Sequence, residues 1–225
     1  MKIKFTPKIT TLWNEWEEYS VFDLKNETMF FSCTPQFIYE NSNCPITQSI
    51  LDALIWNGVF SLNDANIVID TRVNMLMVGQ YPSIPGWHCD DVLRGENGQP
   101  CFEKRSSDVQ HYMILLSGKP STIIYETNDH ESRTEFVVGP REYNLDPNNV
   151  WNSLDKCVES DNTVEVRKIK FGEMIQFNQD AIHRATPAQS NGWRYFFRLS
   201  VTHRKPANEI RRQTQVYCDI NNPGW

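Results

Sequence analysis

Tyr81-Pro82-Ser83-Ile84-Pro85-Gly86-Trp87-His88-Cys89-Asp90-Asp91 carries a His-x-Asp pair, two polar side chains one residue apart. In extended backbone, side chains two residues apart leave the same face, so the imidazole of His88 and the carboxylate of Asp90 converge while Cys89 points away. Such a pair suits a single metal ion. A second histidine follows far downstream in Phe177-Asn178-Gln179-Asp180-Ala181-Ile182-His183-Arg184-Ala185-Thr186-Pro187, and two arginines, Arg194 and Arg198, come soon after it. His88, Asp90 and His183 together read as a two-His-one-carboxylate iron site, with the arginines as an anchor for an acidic cosubstrate.

Working outward, the residues before this stretch read as strand. Ile67-Val68-Ile69 and then Arg72 to Tyr81 are rich in β-branched and large apolar residues, and Pro82 closes the run. Further upstream, Ile46 to Gly58 places Ile50, Leu51, Leu54 and Ile55 at helical spacing and ends in Gly, as a short amphipathic helix does. The first 63 residues otherwise show no clear period. Downstream, Leu93 to Ser107 has loop composition, either a flap near the site or a plain surface insertion. Strand-like runs follow at His111 to Leu116, Thr122 to Thr127 and Glu135 to Val138, with Ser117 to Pro120 as a turn. Pro147 to Glu159 reads as a helix capped by Asp146 or a neighbouring Asn. Thr163 to Phe171 alternates as a strand, Gly172-Glu173 turns the chain, and Met174 to Phe177 leads toward His183. From Trp193 to Thr202 the alternation puts Arg194, Phe196, Arg198 and Ser200 on one face and Trp193, Tyr195, Phe197, Leu199 and Val201 on the other.

The chain has 225 residues, a length at which one β-rich domain with a single large core is expected. A net charge of −6 argues against a surface dedicated to nucleic-acid phosphates, and the basic cluster Arg204, Lys205, Arg211 and Arg212 reads as solvated surface. Six cysteines lie without Cys-x-x-Cys spacing and read as reduced thiols. No secretory signal and no membrane-length apolar run is present, so a soluble, cytoplasmic protein is expected.

Two imidazoles and a carboxylate can occupy one face of octahedral Fe(II) and leave adjacent positions open. A 2-oxo acid fills two of these and dioxygen the last, while the planar fork of an arginine binds the far carboxylate of the acid. His88-x-Asp90, His183 and an arginine on the following strand resemble the Fe(II)/2-oxoglutarate-dependent dioxygenase superfamily, over roughly residues 72–202. Gln80-Tyr81-Pro82 resembles its prolyl-hydroxylase branch, where a tyrosine at that place lies by the oxo acid. The Gly172-Glu173 turn, Phe177 and His183-Arg184-Ala185 resemble the strand that delivers the distal histidine. The interval from His183 to Arg194 and Arg198 is similar to the taurine-dioxygenase branch.

The resemblance implies a mainly β fold, a double-stranded β-helix (a cupin-like jelly roll) with flanking helices, in a single domain over residues 1–225 with its core at about 67–202. It implies Fe(II) held by His88, Asp90 and His183, with 2-oxoglutarate and dioxygen as cosubstrates. Arg194 would grip the distal carboxylate with Arg198 as rival or helper, and Tyr81 and Tyr112 are candidates for hydrogen bonds to the oxo acid. The implied reaction is hydroxylation or another oxidation, with release of succinate and carbon dioxide. The substrate is expected to be a small molecule, an amino acid or a protein side chain, with a modified nucleobase the less favoured class. Two alternatives stay open: a cupin-type metalloenzyme that binds its substrate directly and uses no oxo acid, and a non-catalytic jelly-roll binding module. Asp91 should point away from His88, and His111, His130 and His203 are read as surface or core histidines. Cys89 and Trp87 are expected behind the site, as packing.

Overall fold

A computed structural model describes residues 1–17, 19–41, 43–119 and 133–218. In chain order the elements are β1 (Lys2–Phe5), β2 (Ile9–Trp13), β3 (Tyr19–Ser20), α1 (Val21–Asn26), β4 (Met29–Phe31), α2 (Pro35–Glu40) and α3 (Pro45–Trp56). Then come β5 (Ile67–Leu76), β6 (Gln110–Lys119), β7 (Thr134–Val138), β8 (Arg141–Asn144) and α4 (Val150–Ser160). The chain ends with β9 (Glu165–Lys168), β10 (Met174–Asn178), β11 (His183–Ala185), β12 (Gly192–Val201) and β13 (Glu209–Arg211). The structure is therefore mainly β with few helices. Its larger sheet runs β2-β10-β6-β12-β5, antiparallel throughout, and a smaller antiparallel sheet runs β11-β7-β9. No closed barrel forms among the described residues.

The two faces of the larger sheet do different work, and the alternation of side chains assigns them. Ile69 and Val73 of β5, Tyr112, Ile114 and Leu116 of β6 and Tyr195, Phe197 and Leu199 of β12 pack on α3 through Ile46, Ile50, Leu51 and Leu54. On the opposite face Met113, Ile175 and Phe177 meet Phe136 of the smaller sheet, joined by Ile169 and Ala181. The rings of Phe136 and Phe177 stand edge to face at 5.0 Å. A third cluster sets α4, through Val150, Leu154 and Val158, against Trp87, Cys89, Phe102 and Ile182. It backs the segments that bear His88 and His183.

Several expectations are corrected. The two strand runs before Tyr81 are one strand that stops at Leu76, because Met77 to Gln80 turns: Gln80 N–H donates to Met77 O at 3.0 Å and Gly79 has φ +82°. Of the turn expected at Ser117–Pro120, Ser117 to Lys119 are strand, since β6 continues to Lys119 through its pairing with β12 and β3, and Pro120 lies outside the described residues. The strand expected over Thr163–Phe171 is only Glu165–Lys168. Helix α4 begins at Val150 with no side-chain cap from Asn149; Asp146 accepts from Asn148 N, and Gln99 Oε1 receives Val150 N–H at 3.0 Å. The segment without clear period contributes β1 to β4, α1 and α2. The expected strand Thr122–Thr127 and His130 lie outside the described residues. Among the described residues no helix is long and apolar enough to cross a membrane.

Helix α3 is anchored by a distant carboxylate. Its N-cap, Cys44, makes no side-chain hydrogen bond, and Glu27 instead receives Ile46 N–H at 2.7 Å, Thr47 N–H at 3.2 Å and Thr47 Oγ1–H at 2.7 Å. Burial pushes the Glu27 carboxyl upward, and these three donors pull against that shift. They satisfy amides that the first helical turn leaves unpaired, at the positive end of the helix dipole. Glu27→Ala should therefore destabilise the fold by about 1–3 kcal/mol in urea denaturation; a loss below about 0.5 kcal/mol would show that solvent can replace this cap.

Candidate metal centre

His88 and His183 are directly opposed on neighbouring extended segments and exchange both backbone hydrogen bonds, His88 N–H to His183 O at 2.9 Å and His183 N–H to His88 O at 2.8 Å. A closed antiparallel pair of this kind sends both side chains to one face, and the two rings lie 4.6 Å apart. Asp90, two residues along, joins them, as its spacing predicts. One donor atom from each of His88, Asp90 and His183 fits within 4.8 Å of the others, and His183 Nε2 lies 3.4 Å from Asp90 Oδ2.

Each ring is oriented by the same local device. His88 Nδ1 lies 2.8 Å from Gly86 O and His183 Nδ1 lies 2.9 Å from Ala181 O, in both cases the carbonyl two residues upstream. A carbonyl only accepts, so each Nδ1 carries a proton, and Nε2 is the ring atom turned toward the other two donors. Aromatic neighbours hold the rings further. His183 stacks on Phe136, its cross-strand partner, at 5.1 Å and meets Phe177 edge-on at 5.5 Å, while His88 meets Trp151 edge-on at 6.5 Å. Burial, followed by the neighbouring His183, takes the His88 pKa down to about 4, so its imidazole is neutral at pH 7. Burial also opposes ionisation of Asp90, but Arg198 and His183 outweigh it and hold this carboxyl well below the usual range. Two imidazoles and one carboxylate are a donor set that fits a divalent transition metal such as ferrous iron.

Around these three residues the larger sheet forms a charged wall. In the β5–β12 register Asp70 lies opposite Arg198, Arg72 opposite Phe196 and Asn74 opposite Arg194. Arg198 bridges two carboxylates, with Nη1 on Asp90 Oδ2 and Nη2 on Asp70 Oδ2 at 2.8 Å. Arg204 adds a bond to Asp70 at 2.8 Å and approaches Asp91 at 3.7 Å. Burial alone would raise Asp70, yet the two guanidinium groups bring it down to about 2. The site opens into a cavity of about 190 Å³ lined by Arg72, Arg194, Arg198, Phe196, Met113 and Tyr217 among others.

The structure thus brings Arg194 and Arg198 to the pocket with His88, Asp90 and His183, and sends the two tyrosines elsewhere. Tyr112 is corrected: it sits on the α3 face of β6, because it is out of phase with His111 and Met113. Tyr81 is corrected too. Its backbone pairs with Tyr217, and it is Tyr217 that lines the cavity. Arg204, read as solvated surface, is instead an ion-pair partner of Asp70. Asp91 turns away as expected, with φ +53°. Trp87 and Cys89 pack behind the site, and Arg184 pairs with Glu135 and Glu159 over the Trp87 ring, away from the cavity.

Asp70, Arg72 and Tyr217 were missed, whereas His111 is a core histidine, as expected. For the first two the signal was present, since polar residues stand at every second position, Asp70, Arg72 and Asn74, of an otherwise apolar strand. His111 is fully buried, with Nδ1 2.9 Å from Ser200 Oγ and its ring 4.9 Å from that of Phe177, and burial depresses its pKa to about 4.

His111, fully buried, and His88, partly buried, are neutral at pH 7, with pKa values below their ordinary 6.5. The unfolded chain therefore takes up these protons first as pH falls, so stability is full above pH 6.5 and is lost as pH drops toward 4. For metal-free protein the loss should approach about 3 kcal/mol for each histidine, and His111→Gln should flatten the profile. Urea unfolding at pH 7 and pH 4.5 measures this; equal stabilities at the two pH values would contradict it.

No protein-family model matches the chain, and no curated protein matches it. A solved structure described as "Non-heme monooxygenase, ThoJ-Ni complex" is similar at 14% identity, with a TM-score of 0.32, over 75% of this chain and 56% of that one. The chain thus spans little more than half the length of that structure. A likeness at this level assigns neither the fold nor the chemistry of the chain, which rest on the geometry above.

Proposed function

We propose that the chain is a single-domain non-heme iron oxygenase that uses ferrous iron, 2-oxoglutarate and dioxygen, built on a double-stranded β-helix. The observation that carries this reading is the convergence of His88, Asp90 and His183, with both Nδ1 atoms committed to carbonyls and the Asp90 carboxyl ionised. The two antiparallel sheets, packed on each other through Met113, Ile175, Phe177 and Phe136, support the fold. With its cosubstrates bound, ferrous iron supplies an oxidant able to take hydrogen from a C–H bond, with release of succinate and carbon dioxide.

The protein's share is binding, orientation and exclusion of water. His88, Asp90 and His183 would hold the ion from one side and leave the cavity side for ligands. Arg198 fixes Asp90 through the carboxylate oxygen that also faces His183, so it acts as a positioning residue. Arg194, 5% exposed on the pocket face of β12, is the residue we assign to the distal carboxylate of the oxo acid. Met113 and Phe196 supply apolar wall. The substrate is an organic molecule or a side chain that enters this small cavity.

Anaerobic titration with Fe(II) and then 2-oxoglutarate should produce the visible metal-to-ligand charge-transfer band of a chelated oxo acid. His88→Ala should abolish the band, and Arg194→Gln should raise the half-saturating 2-oxoglutarate concentration roughly 10- to 100-fold. Iron uptake without the band would contradict the oxo-acid reading and favour a metalloenzyme that binds its substrate directly.

A further inference from the structure

Arg72 stands in the pocket wall and makes no ion pair among the described residues. It projects from β5 opposite Phe196, between the cross-strand pairs Asp70–Arg198 and Asn74–Arg194. Arg198 and Arg204 are bound to Asp70, and Arg198 to Asp90 as well. By contrast, the guanidinium of Arg72 makes a single long hydrogen bond, Nη1 to Pro82 O at 3.4 Å, and no carboxylate among the described residues forms an ion pair with it.

A guanidinium withdrawn from water and left beside another cation is costly unless an anion joins it. Burial, and after it the charge of Arg198, push the Arg72 pKa below its ordinary value, and the carboxylates of Asp70 and Asp90, which form no ion pair with it, pull only partly against that shift. The cavity around it has the composition of a small amphipathic subsite. Ser83 and Tyr217 contribute hydroxyls, while Pro82, Ile84 and Phe196 are apolar. A planar fork of N–H donors matches a carboxylate, sulfonate or phosphate oxygen pair.

We propose that Arg72 anchors an oxyanion group of the primary substrate, so that the substrate is a small organic molecule with an anionic head and an apolar body. The inference rests on the oxygenase reading for the identity of the site, since the oxo acid is assigned to Arg194. It fixes the substrate class that the iron site would oxidise: the anionic head is held on β5, and the apolar body lies toward Phe196 and the metal ligands.

The test uses inorganic sulfate as the probe. Ni(II)-loaded protein saturated with 2-oxoglutarate is titrated with sodium sulfate against sodium chloride at matched ionic strength, and thermal unfolding is followed. Sulfate should raise the midpoint in the wild type, and Arg72→Gln should weaken half-saturation by roughly 10-fold or more. Arg72→Lys should retain part of the response, which separates loss of the charge from damage to the fold. The Fe(II)–2-oxoglutarate band of Arg72→Gln should form at the wild-type concentration. An equal sulfate response in the wild type and Arg72→Gln, or none in the wild type, would overturn the proposal. Loss of the oxo-acid band in Arg72→Gln would also overturn it, by making Arg72 the cosubstrate's anchor. If the wild type binds iron without the band but keeps an Arg72-dependent sulfate response, the oxo-acid reading fails and the anion subsite stands.

Discussion

The site depends on one backbone event, the closed antiparallel pair between His88 and His183. These residues are 95 positions apart in the chain, and neither belongs to the larger sheet. Two hydrogen bonds between their main chains place both imidazoles on one face, and the two-residue period then adds Asp90. The surrounding packing serves that pair. Phe136 and Phe177, from the core between the two sheets, grip the His183 ring, and α4 presses Trp87, Cys89 and Ile182 from behind. A small shift of β11 would therefore separate the donors without altering any of them, which is why precise packing lies so far from the chemistry.

Electrostatics complete what the backbone begins. Asp90 is largely withdrawn from water, and a carboxylate so placed without a cation would tend to protonate. Arg198 prevents this, and Asp70 and Arg204 extend the arrangement into a chain of alternating charge that starts at the metal ligands. Arg198, held between two carboxylates, is committed to the metal ligands' side of the pocket, while Arg194 stands four residues away on the same face of the strand.

Much of this was legible in the chain. The His-x-Asp spacing, the late histidine and the alternation over 193–202 were local patterns, and local patterns survive in sequence because period two follows from backbone geometry. The face assignments on β12 hold residue by residue, with Tyr195, Phe197 and Leu199 against α3 and Arg194, Phe196 and Arg198 at the pocket. Pairing over long distance was not legible. Nothing near Arg204 indicates that it meets Asp70, 134 residues away, and nothing near Glu27 indicates that it caps α3. The tyrosines failed for a related reason: Tyr112 was one residue out of phase, and the place expected for Tyr81 is taken by Tyr217, brought in by the returning C-terminal segment. Asp70 and Arg72 were readable from the polar alternation of β5 once that strand was known to adjoin β12.

The central claim is that His88, Asp90 and His183 form one metal centre. X-ray absorption at the cobalt edge, on protein given a single equivalent of Co(II), tests it most directly. The account predicts stoichiometric uptake into an oxygen- and nitrogen-rich shell that includes two imidazoles, with one imidazole lost in His183→Ala. Failure to take up the ion, or a shell unchanged in His183→Ala, would contradict it.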